Sequence, residues 1–292
     1  MAKNLSILQN FRPSQVVREP FPHFVIDGAL PADVYDELDR QYPSPELIFA
    51  NQSRHRPEKQ MLSNRRYDIS AATVHGKPDL DLGLWRDFVL YHSSQAFLDE
   101  ILDKLGDFIA LRHDWLLPRL RDKAPGGKPR AGVRRHSDDA ASCEVALDCQ
   151  VGMNSPVKEP SAVKGLHLDT NIELFAGLFY VRDARDDTAG GDLQIYRWKS
   201  GTPSFHEKRN VRPEHAELAG VVPYAANRFA LLLNDIDAIH GVSPRTVTVH
   251  PRRLVNIIAE VYPTVERLFD ERPYREKTSV FGKLLARAGL AS

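Results

Sequence analysis

The stretch LFAGLFYVRDARDDTAGGDLQIYRW, residues 174–198, contains two apolar and aromatic runs separated by a polar segment with two glycines. Each run has the length and the residue types of a β-strand, and DDTAGGD between them has the residues that favour turns. The stretch therefore predicts two successive β-strands and places them in a region of β-structure.

The same pattern continues on both sides of this stretch. Further candidate strands are CEVALDCQVGM (143–153), RFALLLN (228–234), AIHGVS (238–243) and RLVNIIAEVY (253–262). Six or more short strands, preceded by helical patterns, predict an α+β fold that is mainly β. We expect a double-stranded β-helix, that is, a two-sheet jelly-roll barrel, with N-terminal supporting helices.

The N-terminal half has a different character. A short strand is expected at 23–26, a helix from Pro31, irregular structure over 50–80, and one helix at about 84–105. Residues 119–139 are rich in Gly, Pro and Arg, which predicts a flexible loop, either solvated or a lid over an anionic substrate. The end of the chain, TSVFGKLLARAGLAS, predicts a short basic amphipathic helix.

Composition excludes several classes of function. The chain has 39 basic and 39 acidic residues, so no global field favours nucleic acid or membrane. The first residues lack a secretory signal, no apolar run has transmembrane length, and Cys143 and Cys149 are the only cysteines. We therefore expect a cytoplasmic protein with no nucleic-acid or membrane partner. A small-molecule or biosynthetic-intermediate substrate is expected by analogy with similar bacterial chains and does not follow from the composition. The oligomeric state cannot be inferred from the sequence.

The segment GLHLDTN, residues 165–171, predicts a metal site. In a strand, His167 and Asp169 share one face and Leu168 lies on the other. NDIDAIHGVSPR (234–245) supplies a third candidate ligand, His240. Two imidazoles and one carboxylate with open positions are typical of non-haem Fe(II) oxygenases, whereas zinc is more often held by three histidines or by two and a glutamate.

A cation near this site would indicate an acidic cosubstrate such as 2-oxoglutarate. HPRRLVNIIAEVY (250–262) offers Arg252 and Arg253 at the start of a strand, and arginine binds carboxylates with two parallel hydrogen bonds. If Arg252 faces inward, Leu254 and Asn256 do too, which places a polar amide in the pocket. This alternation favours Arg252, and Arg253 stays an alternative.

These motifs resemble the 2-oxoglutarate- and Fe(II)-dependent oxygenases of the prolyl-4-hydroxylase-like bacterial family. The resemblance covers most of residues 20–262. It is carried by PFPHFVIDGALPADVYDEL, GLHLD, AGLFYVRDARDDTAGGDLQIYR, NDIDAIHGVSPR and PRRLVNIIAE. The interval from His240 to the arginine is a few residues longer than is usual in the family.

The resemblance implies a single oxygenase domain over 1–292 with a jelly-roll or cupin-like core at 141–265. Residues 1–140 would form the helical support and basic loop, and 266–292 the C-terminal helix. Fe(II), 2-oxoglutarate, O2 and in some members ascorbate would be the cofactors. The site residues implied are His167, Asp169 and His240 for iron, with Arg252, Tyr180 and Asn256 for the cosubstrate.

The implied reaction releases succinate and CO2 and hydroxylates or otherwise oxidises a substrate. Because Asp169 is present, halogenation is not expected. The substrate is unidentified; an anionic compound or a biosynthetic or glycan intermediate is the expectation, with Gln150 and Asn154 as candidate contacts. Two alternatives stay open: a non-catalytic jelly-roll binding module, and a cupin-type enzyme that uses another metal such as zinc or manganese.

Overall fold

The computed structural model describes residues 4–53, 58–136, 142–200, 202–206, 209–262 and 267–274. The strands are β1 (His23–Asp27), β2 (Arg66–Ile69), β3 (Ala131–Val133), β4 (Val145–Asn154), β5 (Glu173–Tyr180), β6 (Leu193–Trp198), β7 (Ala216–Val222), β8 (Arg228–Leu233), β9 (His240–Val242) and β10 (Arg252–Val261). The helices are α1 (Ala32–Arg40), α2 (Pro45–Ala50), α3 (Ala71–Gly76), α4 (Leu84–His92), α5 (Gln95–Lys104), α6 (Gly106–His113) and α7 (Leu116–Lys123). Short 3-10 turns occupy Pro13–Gln15, Pro125–Gly127, Pro213–His215 and Arg272–Tyr274.

The strands form two facing sheets. The large sheet has the order β1-β8-β5-β10-β4-β2, and β3 adds to it in parallel with β4. The small sheet has the order β7-β6-β9. Non-consecutive strands are neighbours in both sheets, as expected for a jelly roll. The expected mainly β double-stranded β-helix is therefore confirmed, with the qualification that the two sheets do not close into one ring.

Strand β8 of the large sheet is apolar on both faces from Phe229 to Leu233. Phe229, Leu231 and Leu233 belong to the core shared with the N-terminal helices. Ala230 and Leu232 alternate with them and pack against small-sheet residues in a second core. This period of two assigns one face of each central strand to the helices and the other to the interior between the sheets.

The helices support the outer face of the large sheet. Trp85 and Phe88 of α4 are fully buried there, and the Trp85 indole donates to the Leu38 carbonyl of α1 at 2.8 Å. The expected single helix at 84–105 is wrong in one respect, since it is divided into α4 and α5. Ser94 ends the continuity because its hydroxyl accepts from the Phe97 amide at 3.3 Å and caps a new helix.

The expectation of a flexible basic loop at 119–139 is wrong for the part of it that the structure describes. This part contains the end of α7 and the strand β3. Arg134 is buried, with Nε 2.7 Å from Glu260 and Nη1 3.4 Å from Asp148, and Arg130 pairs with Glu144 at 2.8 Å. These arginines are therefore compensated by carboxylates of the sheet region and do not form a lid.

Three other sequence expectations differ from the structure or lie outside it. Residues 50–80 are not irregular, since they contain β2 and α3, and β7 was not expected at all. His167 makes isolated bridges to His240 and Asn210 and does not begin a strand. The expected helix at 278–292 lies outside the described residues. Within those residues, no helix combines the length and the apolar character needed to span a membrane.

Candidate metal centre

His167, Asp169 and His240 come together at one edge of the small sheet. His240 is the first residue of β9, and the His167 amide donates to the His240 carbonyl at 2.9 Å while the His240 amide donates back at 3.1 Å. One potential ligand atom from each of the three side chains lies within 4.8 Å of the others. The segment bearing the H-x-D motif is thus fixed to the strand that carries the third side chain.

The carboxylate lies between the two imidazoles. Asp169 Oδ1 is 3.7 Å from His167 Nε2, and Oδ2 is 3.4 Å from His240 Nε2. The two rings have centroids 4.3 Å apart and are tilted by 55°. Leu168, between the two motif residues, is buried in the small-sheet core and turns away from the site. The three side chains can therefore offer one ligand atom each to a single ion.

Backbone carbonyls determine which nitrogen of each histidine is available. His167 Nδ1 is 2.9 Å from the Gly165 carbonyl, and His240 Nδ1 is 3.0 Å from the Ala238 carbonyl. A carbonyl only accepts, so each Nδ1 carries the proton and each Nε2 presents its lone pair. This arrangement orients metal-binding histidines in proteins, and the donor set fits a divalent metal such as Fe(II).

The charges in the triad also suit a cation. Burial, together with His240, lowers the pKa of His167 to about 3, so this imidazole is neutral at physiological pH. Burial alone would raise the pKa of Asp169, but His240 and His167 hold it below its ordinary value. His167 therefore offers a neutral imidazole, and Asp169 an ionised carboxylate, without first losing a proton.

The triad opens into a cavity of about 480 Å³ between the sheets. Its apolar wall includes Leu178, Leu193, Val242 and Leu254. Its polar lining contains, besides the triad, Arg66, Asn154, Lys164, Thr170, Glu173, Arg209, Arg252 and Asn256. A cavity of this kind, apolar with a few converging polar groups, is typical of a small-molecule site.

Arg252 lines this cavity and is 2% exposed. Its guanidinium carbon lies 4.9 Å from the ring centroid of Tyr180 and 5.0 Å from that of Tyr224, and Nη1 donates to Asn154 Oδ1 at 3.1 Å. Among the described residues, Arg252 Nε and Nη2 and the Tyr180 hydroxyl have no hydrogen-bond partner of good geometry. Buried donors without partners are costly, so an acidic ligand that accepts from them would be bound favourably.

Arg253 lies on the opposite face of β10. It donates to the Val181 carbonyl at 2.9 Å and forms an ion pair with Asp39. Its guanidinium also lies 4.9 Å from the ring centroid of Tyr42. Arg253 therefore joins the sheet to α1, and of the two arginines it is Arg252 that lines the cavity.

Several polar residues in or beside the cavity were not anticipated from the sequence. Arg66 of β2, Lys164, Arg209 and Glu173 line it, and Asp148 is buried beside it next to Gln150. In RRYDIS (65–70) the alternation of polar Arg66 and Asp68 with buried Tyr67 and Ile69 was a usable strand signal. Asn256 contacts Arg66, and Gln150 bonds to both Arg66 and Asp148.

Two carboxyl groups near the cavity are shifted toward the neutral form. Burial raises the pKa of Glu173 well above its ordinary value, and the nearby Asp169 acts in the same direction. Burial also raises the pKa of Asp148, against the opposing effects of the Ala71 amide and Arg134. Burial of Glu173 in the cavity wall therefore favours its uncharged form.

No protein-family model and no curated protein matches the chain. Among solved structures, it is similar to a prolyl hydroxylase from Trichoplax adhaerens in complex with a hypoxia inducible factor oxygen degradation domain peptide, with 11% identity and a TM-score of 0.43 over 82% of this chain and 83% of that one. It is also similar to a putative oxygenase from Shewanella oneidensis, with 12% identity and a TM-score of 0.42 over 92% and 91% of the chains. A Pseudomonas putida prolyl-4-hydroxylase gives 11% identity and a TM-score of 0.39 over 82% and 92%.

Proposed function

We propose that this protein is a 2-oxoglutarate- and Fe(II)-dependent oxygenase that hydroxylates or otherwise oxidises a small organic substrate. The observation that carries the proposal is the combination of a His-Asp-His set with a buried arginine and tyrosine that have no acceptor among the described residues, all in or beside one cavity. The His-Asp-His set alone, or the buried donors alone, would not identify this class of enzyme. Together they match a metal and a dicarboxylic cosubstrate.

The protein residues would bind the metal and the cosubstrate, orient them and balance their charge. His167 and His240 would donate through Nε2 while the Gly165 and Ala238 carbonyls hold the proton at Nδ1. Asp169 would supply the negative ligand. Because all three residues line the cavity, a bound metal would be accessible to ligands from the cavity. When bound, the iron with 2-oxoglutarate and O2 supplies the oxidative decarboxylation that releases succinate and CO2.

The cosubstrate would be held at its far carboxylate by Arg252. Nε and Nη2 of Arg252 would donate two hydrogen bonds to this carboxylate, and the Tyr180 hydroxyl would donate a third. Tyr180 and Tyr224 cover the guanidinium, while Asn154 fixes its remaining end. The apolar wall formed by Leu178, Leu193 and Leu254 excludes water from this part of the cavity.

The proposal is tested by the stoichiometry of turnover. Purified protein with Fe(II), 2-oxoglutarate and O2 is expected to form succinate in equal amount to the 2-oxoglutarate consumed, slowly without substrate. Omission of Fe(II) or O2, or the change His240→Ala, should abolish succinate. If succinate forms at the same rate in His240→Ala, the triad is not the reactive centre.

The two alternatives make different predictions. A non-catalytic binding module would form no succinate under any of these conditions. A cupin-type enzyme with zinc or manganese would bind metal at the triad, but it would not need Arg252 or bind 2-oxoglutarate. The buried donors of Arg252 and Tyr180 favour the oxygenase over both.

A further inference from the structure

The residues that follow Asp169 of the triad form a turn that leads into β5. The Glu173 amide donates to the Thr170 carbonyl at 2.9 Å and closes this turn. Because Thr170 is the next residue after Asp169, a displacement of its main chain would also displace the Asp169 carboxylate. The geometry of the metal centre therefore depends on what holds residues 170–173 in place.

The side chain of Asn234 holds this turn at both ends. Asn234 directly follows β8 and is 3% exposed. Its Nδ2 donates to the Thr170 carbonyl at 2.7 Å and to the Glu173 carbonyl at 2.7 Å. Both partners are carbonyls, which only accept, so the atom that faces them is the amide nitrogen with its two hydrogens. One side-chain amide thus connects the start of the turn with its end.

The main chain of Asn234 is itself held by the large sheet and by α6. Its amide donates to the Leu174 carbonyl at 3.0 Å and extends the pairing of β8 with β5 by one residue. His113, the last residue of α6, has its Nε2 2.8 Å from the Asn234 carbonyl. Since a carbonyl only accepts, this Nε2 carries the proton and donates. Because its main chain is held from two sides, Asn234 can fix the position of the turn.

The segment that follows Asn234 leads to the third side chain of the triad. Asp235 Oδ2 pairs at 2.8 Å with Nε of Arg112, which also belongs to α6. The Asp235 carbonyl accepts from the Ala238 amide at 3.3 Å, and the Ala238 carbonyl lies 3.0 Å from His240 Nδ1. Asn234 therefore lies between the segment that carries the H-x-D motif and the segment that carries His240.

We propose that Asn234 is a positioning residue of the metal centre, and that it strengthens metal binding by holding the turn after Asp169 in place. This inference rests on the proposed function, because it requires that the triad binds a metal. Asn234 is not part of the cavity lining, so it would act through the main chain and without touching the metal or the substrate. Partners that orient metal ligands typically contribute about 10- to 100-fold to metal affinity.

Replacement of Asn234 tests this role, and Asn227 provides a matched control at the other end of the same strand. Asn227 directly precedes β8, and its side chain also bonds two main-chain groups. Its Oδ1 accepts from the Leu30 amide at 2.9 Å, and its Nδ2 donates to the Leu30 carbonyl at 2.8 Å. Asn227→Ala therefore removes the same number of hydrogen bonds as Asn234→Ala, but not at the turn after Asp169.

Two metal probes report on the triad without any turnover. The affinity for Mn(II) is measured by electron paramagnetic resonance, and the visible spectrum of bound Co(II) reports its coordination geometry. Asn234→Ala should weaken Mn(II) binding by about 10-fold or more and change the Co(II) spectrum, because the turn loses its donor. Asn234→Ser keeps a hydroxyl donor and should have a smaller effect. Asn227→Ala should lower the melting temperature and leave the affinity and the spectrum unchanged.

The possible results separate positioning from a purely structural role. Weaker Mn(II) binding or a changed Co(II) spectrum in the Asn234 variants, and in neither respect in Asn227→Ala, supports the inference. If Asn234→Ala does not fold, as judged by its thermal transition, Asn234→Ser carries the comparison. Wild-type affinity and spectrum in the Asn234 variants, or the same changes in Asn227→Ala, overturn it. Failure of the wild type to bind either metal, or binding that persists in His240→Ala, contradicts the proposed function itself, and the inference falls with it.

Discussion

At the scale of single residues, two adjacent arginines have opposite roles because a strand alternates its faces. Arg252 faces the cavity and keeps two donors without partners, whereas Arg253 forms an ion pair with Asp39 on the helix side. Because successive side chains of a strand point to opposite faces, placing either arginine in the interior predicts that the other lies on the outer face. Which face is the interior depends on the packing of the whole sheet.

Substituting Arg252 and Arg253 in turn distinguishes a role in cosubstrate binding from a role in the stability of the fold. Arg252→Ala should weaken 2-oxoglutarate binding by about 10- to 100-fold, because it removes charged hydrogen bonds to a carboxylate. Arg253→Ala should leave that affinity unchanged but lower the melting temperature, since it leaves Asp39 without its ion pair. Calorimetric titration and thermal melting of both variants check this prediction. Equal loss of 2-oxoglutarate affinity in the two would contradict the assignment of Arg252.

A second residue-scale prediction concerns acid stability. His92 in α4 is fully buried, and burial lowers its pKa to about 4. The unfolded chain protonates this histidine near its ordinary pKa of about 6.5, so the unfolded state binds more protons between these values. Stability should therefore decrease as pH falls from about 6.5 to 4, by at most about 1.4 kcal/mol per pH unit for this group.

Urea unfolding at several pH values measures this slope. His92→Gln removes the titrating group and should reduce the slope in that interval, even if it lowers stability at neutral pH. His136, whose ring lies 5.6 Å from that of His75 outside the core, offers a control in His136→Gln. An unchanged slope in His92→Gln would show that other groups account for the acid dependence.

At the scale of elements, the turn between β5 and β6 packs closely against two arginine side chains. Gly191 has φ +78°, and a Cβ there would lie 3.0 Å from Arg245 Cδ and 3.1 Å from Arg252 Cδ. The DDTAGGD motif was predictable as a turn, but its contact with Arg252 was not. Such a contact depends on how β6 and β10 meet from opposite sheets.

Gly191→Ala should therefore affect both stability and cosubstrate binding. Positive φ costs a non-glycine residue about 1–2 kcal/mol, and the added methyl would displace the side chains of Arg245 and Arg252. Gly28 is the matched control, since it has φ +61° and nothing within 4 Å of an added Cβ. We expect similar losses of stability in Gly191→Ala and Gly28→Ala by urea unfolding, but weaker 2-oxoglutarate binding only in Gly191→Ala.

The elements that the sequence predicted correctly are those with a strong local pattern. The strands β4, β5, β6, β8 and β10 are long or continuously apolar, and β1 and α1 have clear boundaries. Strand β2 was missed because it has only four residues, so its alternation of polar and apolar side chains is short. The basic stretch was misjudged because the partners of Arg130 and Arg134 come from β4 and β10. Long-range pairing of this kind has no local signature.

At the scale of the whole molecule, the site is formed only when both sheets are in place. His240 belongs to the small sheet, whereas Arg252 and Asn256 belong to the large one. The triad itself could be predicted from three residues in sequence, because the H-x-D spacing and a later histidine are local signals. Arg66 could not, because β2 reaches the site through its pairing with β4.

Ligands that bind across the two sheets should stabilise the fold. Metal or 2-oxoglutarate at 100 times its dissociation constant should add about 2.7 kcal/mol to the free energy of unfolding. The increase in melting temperature is measured with metal alone and then with 2-oxoglutarate added. His240→Ala should lose both increments. A response to metal without any further response to 2-oxoglutarate would favour the other-metal cupin.

The most direct test of the account is an anaerobic titration with Fe(II) followed by 2-oxoglutarate. It monitors the weak visible charge-transfer band of the iron–2-oxoglutarate chelate in the wild type, His167→Ala and Arg252→Ala. The account predicts a band in the wild type, none in His167→Ala, and a band in Arg252→Ala that needs at least about 10-fold more 2-oxoglutarate. No band in the wild type, or one that persists without His167, would contradict the proposed metal centre.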